Sequence, residues 1–182
     1  VEETTAEDAQ VRRGTRGAPA AAPDEAAAVV ITAPTDGQKD AGNYQKGHVR
    51  FDGLDITIET PKGAERTGKD AKGRPWSVVM PGHYGYVKGT RGRDTDHVDI
   101  TIGPEPSNGL AYVIDQMDPD TGRFDEHKIV VGVNDMSEAE DLYSASFSDG
   151  KGFLRVGGVT QMPIGRLREW LDRPGRRVAP VS

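Results

Sequence analysis

Leu54, Ile56 and Ile58 alternate with Asp55, Thr57 and Glu59. A period of two gives a strand one buried face and one wet face. Residues 48–51 read as its partner, because Asp52-Gly53 between them is a two-residue hairpin signal. Further strands are expected at 76–80, 84–87 and 97–102. Segments 111–118 and 127–133 flank the polar run DPDTGRFDE and read as a second hairpin. The intervening stretch PKGAERTGKDAKGRP, residues 61–75, is polar throughout and reads as a loop. Two helices come late. Ser137-x-x-Glu140 is a capping box that opens one helix, running to about 146. Pro163 suits a first helical turn, and Ile164, Leu167, Trp170 and Leu171 then share one face. Five to seven short strands followed by two helices suggest a small closed β-barrel with appended helices, which also removes exposed sheet edges.

The first 43 residues differ from the rest. They mix Ala, Pro, Gly and scattered charge with almost nothing bulky to bury, so they read as a disordered or partner-bound tail or linker. Within them, 26–31 is apolar enough for a short helix or strand against a partner. The domain then spans 44–175 and a short tail spans 176–182. Hydrophobic residues at 35% and charged residues at 29% fit a modest domain with such an appendage. The chain starts at Val1, which suggests trimming or excision from a longer protein. No apolar run reaches the roughly 18 residues of a membrane span, and the acidic, polar start does not resemble a signal peptide, so a cytoplasmic setting is expected.

Charge and composition narrow the chemistry. The formal net charge of −6 argues against a general nucleic-acid binder. With no cysteine, thiolate zinc sites and cysteine nucleophiles are excluded. Any metal must be held by oxygen or imidazole, which points to Mg²⁺, with Mn²⁺ as the alternative. The densest chemistry lies in HYGYVKGTRGRDTDHVDITIG, where Asp94, Asp96 and Asp99 are spaced D-x-D-x-x-D. Three gathered carboxylates need cations between them. Lys88, Arg91 and Arg93 precede them, and Tyr84 and Tyr86 stand at their base. Acids, bases and phenols together suit an anionic substrate bridged by metal. A solvated turn with strand-capping aspartates is the competing reading.

The stretch 59–133 resembles the soluble inorganic pyrophosphatases of family I, and more closely a divergent branch found in phage and mobile-element proteins. The likeness rests on Tyr84-Gly85-Tyr86, the ten-residue step to Asp94, and D-x-D-x-x-D. It implies a five-stranded OB-type barrel, hence a mainly β, α+β fold, and Mg²⁺-dependent hydrolysis of pyrophosphate. It also implies roles. Asp94 and Asp99 match metal-bridging carboxylates, Asp96 the acceptor of a proton from the attacking water, and Tyr84 a phosphate hydrogen-bond donor. Glu126 or Asp125 would complete the metal shell, Lys128 would hold phosphate, and Glu59 matches a strand-ending glutamate. Arg66 and either Lys72 or Arg74 fit a phosphate-binding pair. Thr95 and His97 depart from the family pattern. The family's late Tyr-Lys pair has no clear match: Tyr143 and Lys151 are candidates, with Lys151 favoured for its exposed loop. A nucleotide, polyphosphate or other diphosphate therefore stays open as substrate, and so does a non-catalytic module with a structural or metal-binding role. An oligonucleotide-binding barrel is the weakest alternative.

Other features have plainer readings. DPDTGRFDE has oxygen residues at alternate positions like a calcium loop, but reads first as a turn. The four histidines show no metal-ligand spacing and read as structural or solvated. Trp76 and Trp170 read as core anchors, and SFSDGKG as a helix stop.

Overall fold

The structure, a computed structural model, describes residues 22–90, 96–173, 175 and 180–181. Two short helices, α1 (Pro23–Ala27) and α2 (Asp36–Asp40), precede eight strands: β1 (Gly47–Phe51), β2 (Leu54–Thr60), β3 (Glu65–Lys69), β4 (Pro75–Val79), β5 (His83–Val87), β6 (Asp99–Ile102), β7 (Leu110–Met117) and β8 (Phe124–Val131). Helix α3 (Met136–Ser144), a 3₁₀ turn at Gly152–Arg155, strand β9 (Val156–Pro163) and helix α4 (Ile164–Leu171) complete the fold. Seven strands form one sheet in the order β1-β2-β5-β6-β8-β7-β9, and β3 and β4 pair apart from it. The expectation of a mainly β fold with appended helices holds. The β1–β2 turn is as the Asp-Gly pair predicts, with both residues at positive φ, 48° and 80°.

Alternation sorts the sheet into two faces. Ile56, Ile58, Ile100, Val113, Ile129 and Val131 point one way into the main core. There α4 adds Ile164, Leu167 and Leu171, the stripe expected from sequence, with Trp170 packed at the edge. On the opposite face Tyr112, Ile114 and Val130 pack under Ala139 and Tyr143 of α3. That helix covers only part of its face. The uncovered part carries Tyr84, Asp99, Glu126 and Lys128.

Four local expectations change. The stretch 61–75 is the β3–β4 hairpin instead of a loop; two strands with polar, half-exposed faces leave no hydrophobic alternation to read. Strand β9 was not foreseen, because its Gly157 and Gly158 interrupt the pattern while the backbone still pairs with β7. The cap of α3 is Asp135, whose side chain accepts from the Glu138 backbone, so Ser137 lies inside the first turn. Residues 22–43, read as a tail or partner-bound segment, are built into the domain from α1 on: Ala26, Ala27 and Val30 are buried in the main core. Small residues achieve this by close approach, since a Cβ on Gly47 would lie 2.1 Å from the Ala26 carbonyl oxygen. Among the described residues no helix is long and apolar enough to cross a membrane.

Gly47→Ala is expected to cost about 1–3 kcal/mol by forcing α1 off β1. Gly37→Ala, with nothing within 4 Å of its would-be Cβ, is expected to be neutral or slightly stabilising. Urea unfolding of both variants checks this; equal stability would show that α1 does not depend on the close contact.

Candidate functional site

Strand register brings the charged groups together. Asp99 on β6 lies directly across the parallel ladder from Lys128 on β8. Period two then places Glu126 on the same face as Lys128. Tyr84 of β5 pairs with Thr101, so its ring lies diagonal to Asp99 on that face. Gly85 permits this arrangement: a Cβ there would sit 1.8 Å from the Thr57 carbonyl oxygen of β2. The glycine of Tyr84-Gly85-Tyr86 thus keeps β2 and β5 close while the tyrosines face outward.

The result is a compact polar knot. Lys128 Nζ ion-pairs with Asp99 Oδ2, lies 2.9 Å from Glu126 Oε1 and donates to the Tyr84 hydroxyl at 3.3 Å. Tyr84 in turn donates to Asp99 Oδ2. Arg66, from β3, stacks on the Tyr84 ring at 4.3 Å and reaches the Trp76 ring at 5.2 Å. Gln116 donates to Asp125 at 2.9 Å, and Tyr143 of α3 donates to the Gln116 amide oxygen at 2.6 Å. Tyr84, Asp99, Glu126, Lys128, Arg66 and Tyr143 line a cavity of about 200 Å³.

Burial and charge compete here. For Asp99, burial pushes the carboxyl up, but Lys128 and its hydrogen bonds outweigh that and hold it below the ordinary range. For Lys128, burial pulls the ammonium down, while Tyr84, Asp99 and Glu126 raise it well above its usual value. Burial lifts the Glu126 carboxyl against the pull of Lys128, and Asp99 and Asp125 add to the rise. Burial also pushes the Tyr84 phenol up to about 12, so it remains a donor at neutral pH.

Not every expected residue joins this knot. Asp94, with Arg91, Arg93 and Thr95, lies outside the described residues. Asp96 is exposed in the bend ahead of β6, and the cavity's described lining does not include it. Asp125 is on the edge, tied to Gln116. Glu59 is the residue at the β2 register shift and pairs with Lys46 at 3.6 Å in a neighbouring cavity that shares Arg66. Burial raises its carboxyl, with Asp99 among the causes. Arg74 pairs with Asp70 at 2.8 Å and Lys72 sits in the exposed β3–β4 turn, and neither is in the lining of the small cavity beside Arg66. Lys151 lines an outer cavity together with Arg74. Tyr143 lines the smaller cavity.

Gln116 and Lys46 were missed as site residues, and Tyr143 was ranked behind Lys151. The α3 pair Ala139/Tyr143, four apart on one helix face, was the available signal for Tyr143. Gln116 shares a strand face with Ile114 and lies opposite Glu126, a weaker one. Lys46 had none. Elsewhere, His83 accepts from the Lys62 backbone and meets Asp24 at 2.7 Å, and His97 stacks on Tyr86. Asp118 accepts from Asp120 and Thr121 backbone amides, as a turn requires. Trp76 belongs to the β3–β4 hairpin and its Arg66 contact, not to either core.

A hard divalent cation fits the donor chemistry: Asp99, Glu126 and Glu59 offer only oxygen, and burial, with Asp99 as a lesser cause, raises both glutamates. Among the described residues no three such side chains converge on one point. Comparison with known proteins adds a family. Residues 36–172 match the family model described as Inorganic Pyrophosphatase. Among solved structures the chain is similar to an inorganic pyrophosphatase from Neisseria gonorrhoeae, at 15% identity and a TM-score of 0.35, over 64% of this chain and 87% of that one. No curated protein matches.

Lys128→Met is expected to cost about 2 kcal/mol, below the roughly 3–5 of a fully buried pair because the Asp99 side chain is a quarter exposed. The sign with pH follows from the directions. The lowered Asp99 carboxyl contributes above the ordinary carboxylate range and loses this as pH falls through its depressed value. The raised Lys128 ammonium contributes below the ordinary lysine range and loses this as pH rises through its elevated value. The loss in Lys128→Met, measured by urea unfolding, should fade at acid pH where the raised Glu126 carboxyl takes up its proton, and be flat from above that range to about pH 9. A loss that grows or fades within that window would break the assignment.

Proposed function

The chain belongs to the inorganic pyrophosphatase family, and from that premise we propose that this pocket hydrolyses the phosphoanhydride bond of inorganic pyrophosphate with Mg²⁺ as cofactor. The observation that carries the reading is the meeting of Asp99, Glu126, Lys128 and Tyr84 from three strands at one cavity of about 200 Å³, small enough to suit two phosphoryl groups.

Asp99 and Glu126 would hold the cation, with Asp94, Asp96 and Glu59 as further oxygen donors and Mn²⁺ as a possible substitute. Bound Mg²⁺ supplies charge neutralisation across both phosphoryl groups and lowers the pKa of water near neutrality. The remaining chemistry belongs to the chain. Lys128 and Arg66 place fixed positive charge against phosphate oxygens, where little reorganisation is needed as charge builds on the leaving group. Tyr84, a phenol that stays protonated, offers a hydrogen bond to a phosphate oxygen in place of its bond to Asp99. Tyr143 would donate from the α3 side. Asp96 is assigned the proton of the attacking water. Lys128 changes partner in this scheme: it pairs with carboxylates in the free pocket and turns to phosphate when cations satisfy them.

Phosphate release from pyrophosphate with Mg²⁺ tests the reading. Asp99→Asn is expected to lower kcat/KM at least ~100-fold, and Asp96→Asn by a similar factor. An Asp96→Asn rate equal to wild type would remove Asp96 from the scheme; no release by the wild-type chain would remove the enzyme and favour a non-catalytic metal-binding module.

A readout independent of turnover is thermal unfolding with and without Mg²⁺. At about 100 times the dissociation constant, Mg²⁺ should add ~2.7 kcal/mol of stability to wild type and much less to Asp99→Asn. Equal stabilisation of both chains would place the cation elsewhere.

A further inference from the structure

Next to the small pocket lies a second cavity of about 540 Å³, and Arg66, Ser146 and Phe147 belong to the walls of both. Ligand clefts for organic molecules run to roughly 300–1,000 Å³, so the smaller cavity falls below that range and the larger within it. A site for pyrophosphate alone does not call for the larger one.

Its wall chemistry says what it would take. Trp76 and Phe147 supply aromatic surface. Arg155 is bound by both arms to Asp149, at 3.0 and 2.9 Å, and its guanidinium lies 4.3 Å from the Phe147 ring centre. Arg74 is paired with Asp70 at 2.8 Å in the same wall. Two arginines are thus already matched by carboxylates facing the cavity, and Lys151 and Asp120 stand in the same wall, so that its carboxylates nearly balance its cations. A third or fourth phosphate would meet those carboxylates, which argues against a polyphosphate tail. A flat ring with donor and acceptor edges meets aromatic surface and paired ions instead.

We propose that the substrate class extends to nucleoside diphosphates, with the two phosphates in the small pocket and the nucleoside in the larger cavity against Trp76 and Phe147. The inference rests on the phosphoanhydride-hydrolase reading of the adjoining pocket. The step balances with water alone. The water oxygen bonds to the terminal phosphorus, the bond from that phosphorus to the bridging oxygen breaks, and the nucleoside monophosphate leaves with the electron pair. A water proton passes to a carboxylate and then to solvent.

The test uses the full chain with Mg²⁺ and three substrates: pyrophosphate, methyl diphosphate and ADP. ADP is expected to exceed methyl diphosphate about tenfold in kcat/KM, the scale of one base stacked on an aromatic ring. Ser148 lines the larger cavity and not the smaller. Ser148→Trp should therefore erase the ADP advantage while pyrophosphate hydrolysis stays within about twofold, as for other surface substitutions. As a binding readout, Trp170→Phe leaves Trp76 as the remaining tryptophan, and ADP with Mg²⁺ should quench its fluorescence where pyrophosphate does not. Pyrophosphate hydrolysis with ADP and methyl diphosphate equal, or no quenching by ADP, would overturn the nucleoside subsite and leave the proposed function standing. Quenching by ADP with no turnover of any substrate would support the subsite and overturn the hydrolase.

Discussion

One ammonium group, Lys128 Nζ, sits among the carboxylates of Asp99 and Glu126 and the hydroxyl of Tyr84, out of most contact with water. Taking charge out of water is costly unless each charge finds a partner. The parallel pairing of β6 with β8 supplies that partner by register alone, because residue 99 on one strand falls opposite residue 128 on the other. A slip of one residue would turn Lys128 and Asp99 to opposite faces and put charge into the apolar core. The hydrophobic pattern on the far face, Ile100 beside Ile129, forbids that slip. Core packing and site geometry are therefore one constraint seen from two sides of the sheet.

The same arrangement balances the pocket's charges within the chain itself. Two carboxylates alone would repel, and one lysine alone would be stranded. Together with Arg66, which approaches through the Tyr84 ring, their formal charges cancel. The proposed catalysis would exchange these internal pairings for pairings with metal and phosphate, so the groups that stabilise the pocket are those that would bind its contents.

Much of this was legible before any coordinates. Alternation of apolar and polar residues gave β2 and the two-faced character of the sheet, and Asp52-Gly53 gave its hairpin. Glu126 and Lys128, two apart on a strand ending in valines, had to share a face. What escaped was of a different physical kind. The β3–β4 hairpin buries no continuous face, so period-two hydrophobicity has nothing to mark. Lys46 comes from an irregular segment, and long-range proximity of that sort leaves no trace in local pattern. The aspartate spacing was read as one convergent group, yet Asp96 and Asp99 differ in exposure, because the strand begins only at Asp99.

The N-terminal helix carries a consequence of its own. The family match begins at residue 36, whereas Ala26, Ala27 and Val30 lie in the main core and Asp24 meets His83, the immediate neighbour of Tyr84. Evolutionary boundary and physical boundary do not coincide in this chain. A fragment cut where the family likeness starts would expose apolar surface on β1 and leave His83 without its carboxylate. The segment ahead of the shared domain is thus a plug set against the sheet at β1, one residue away from the candidate site.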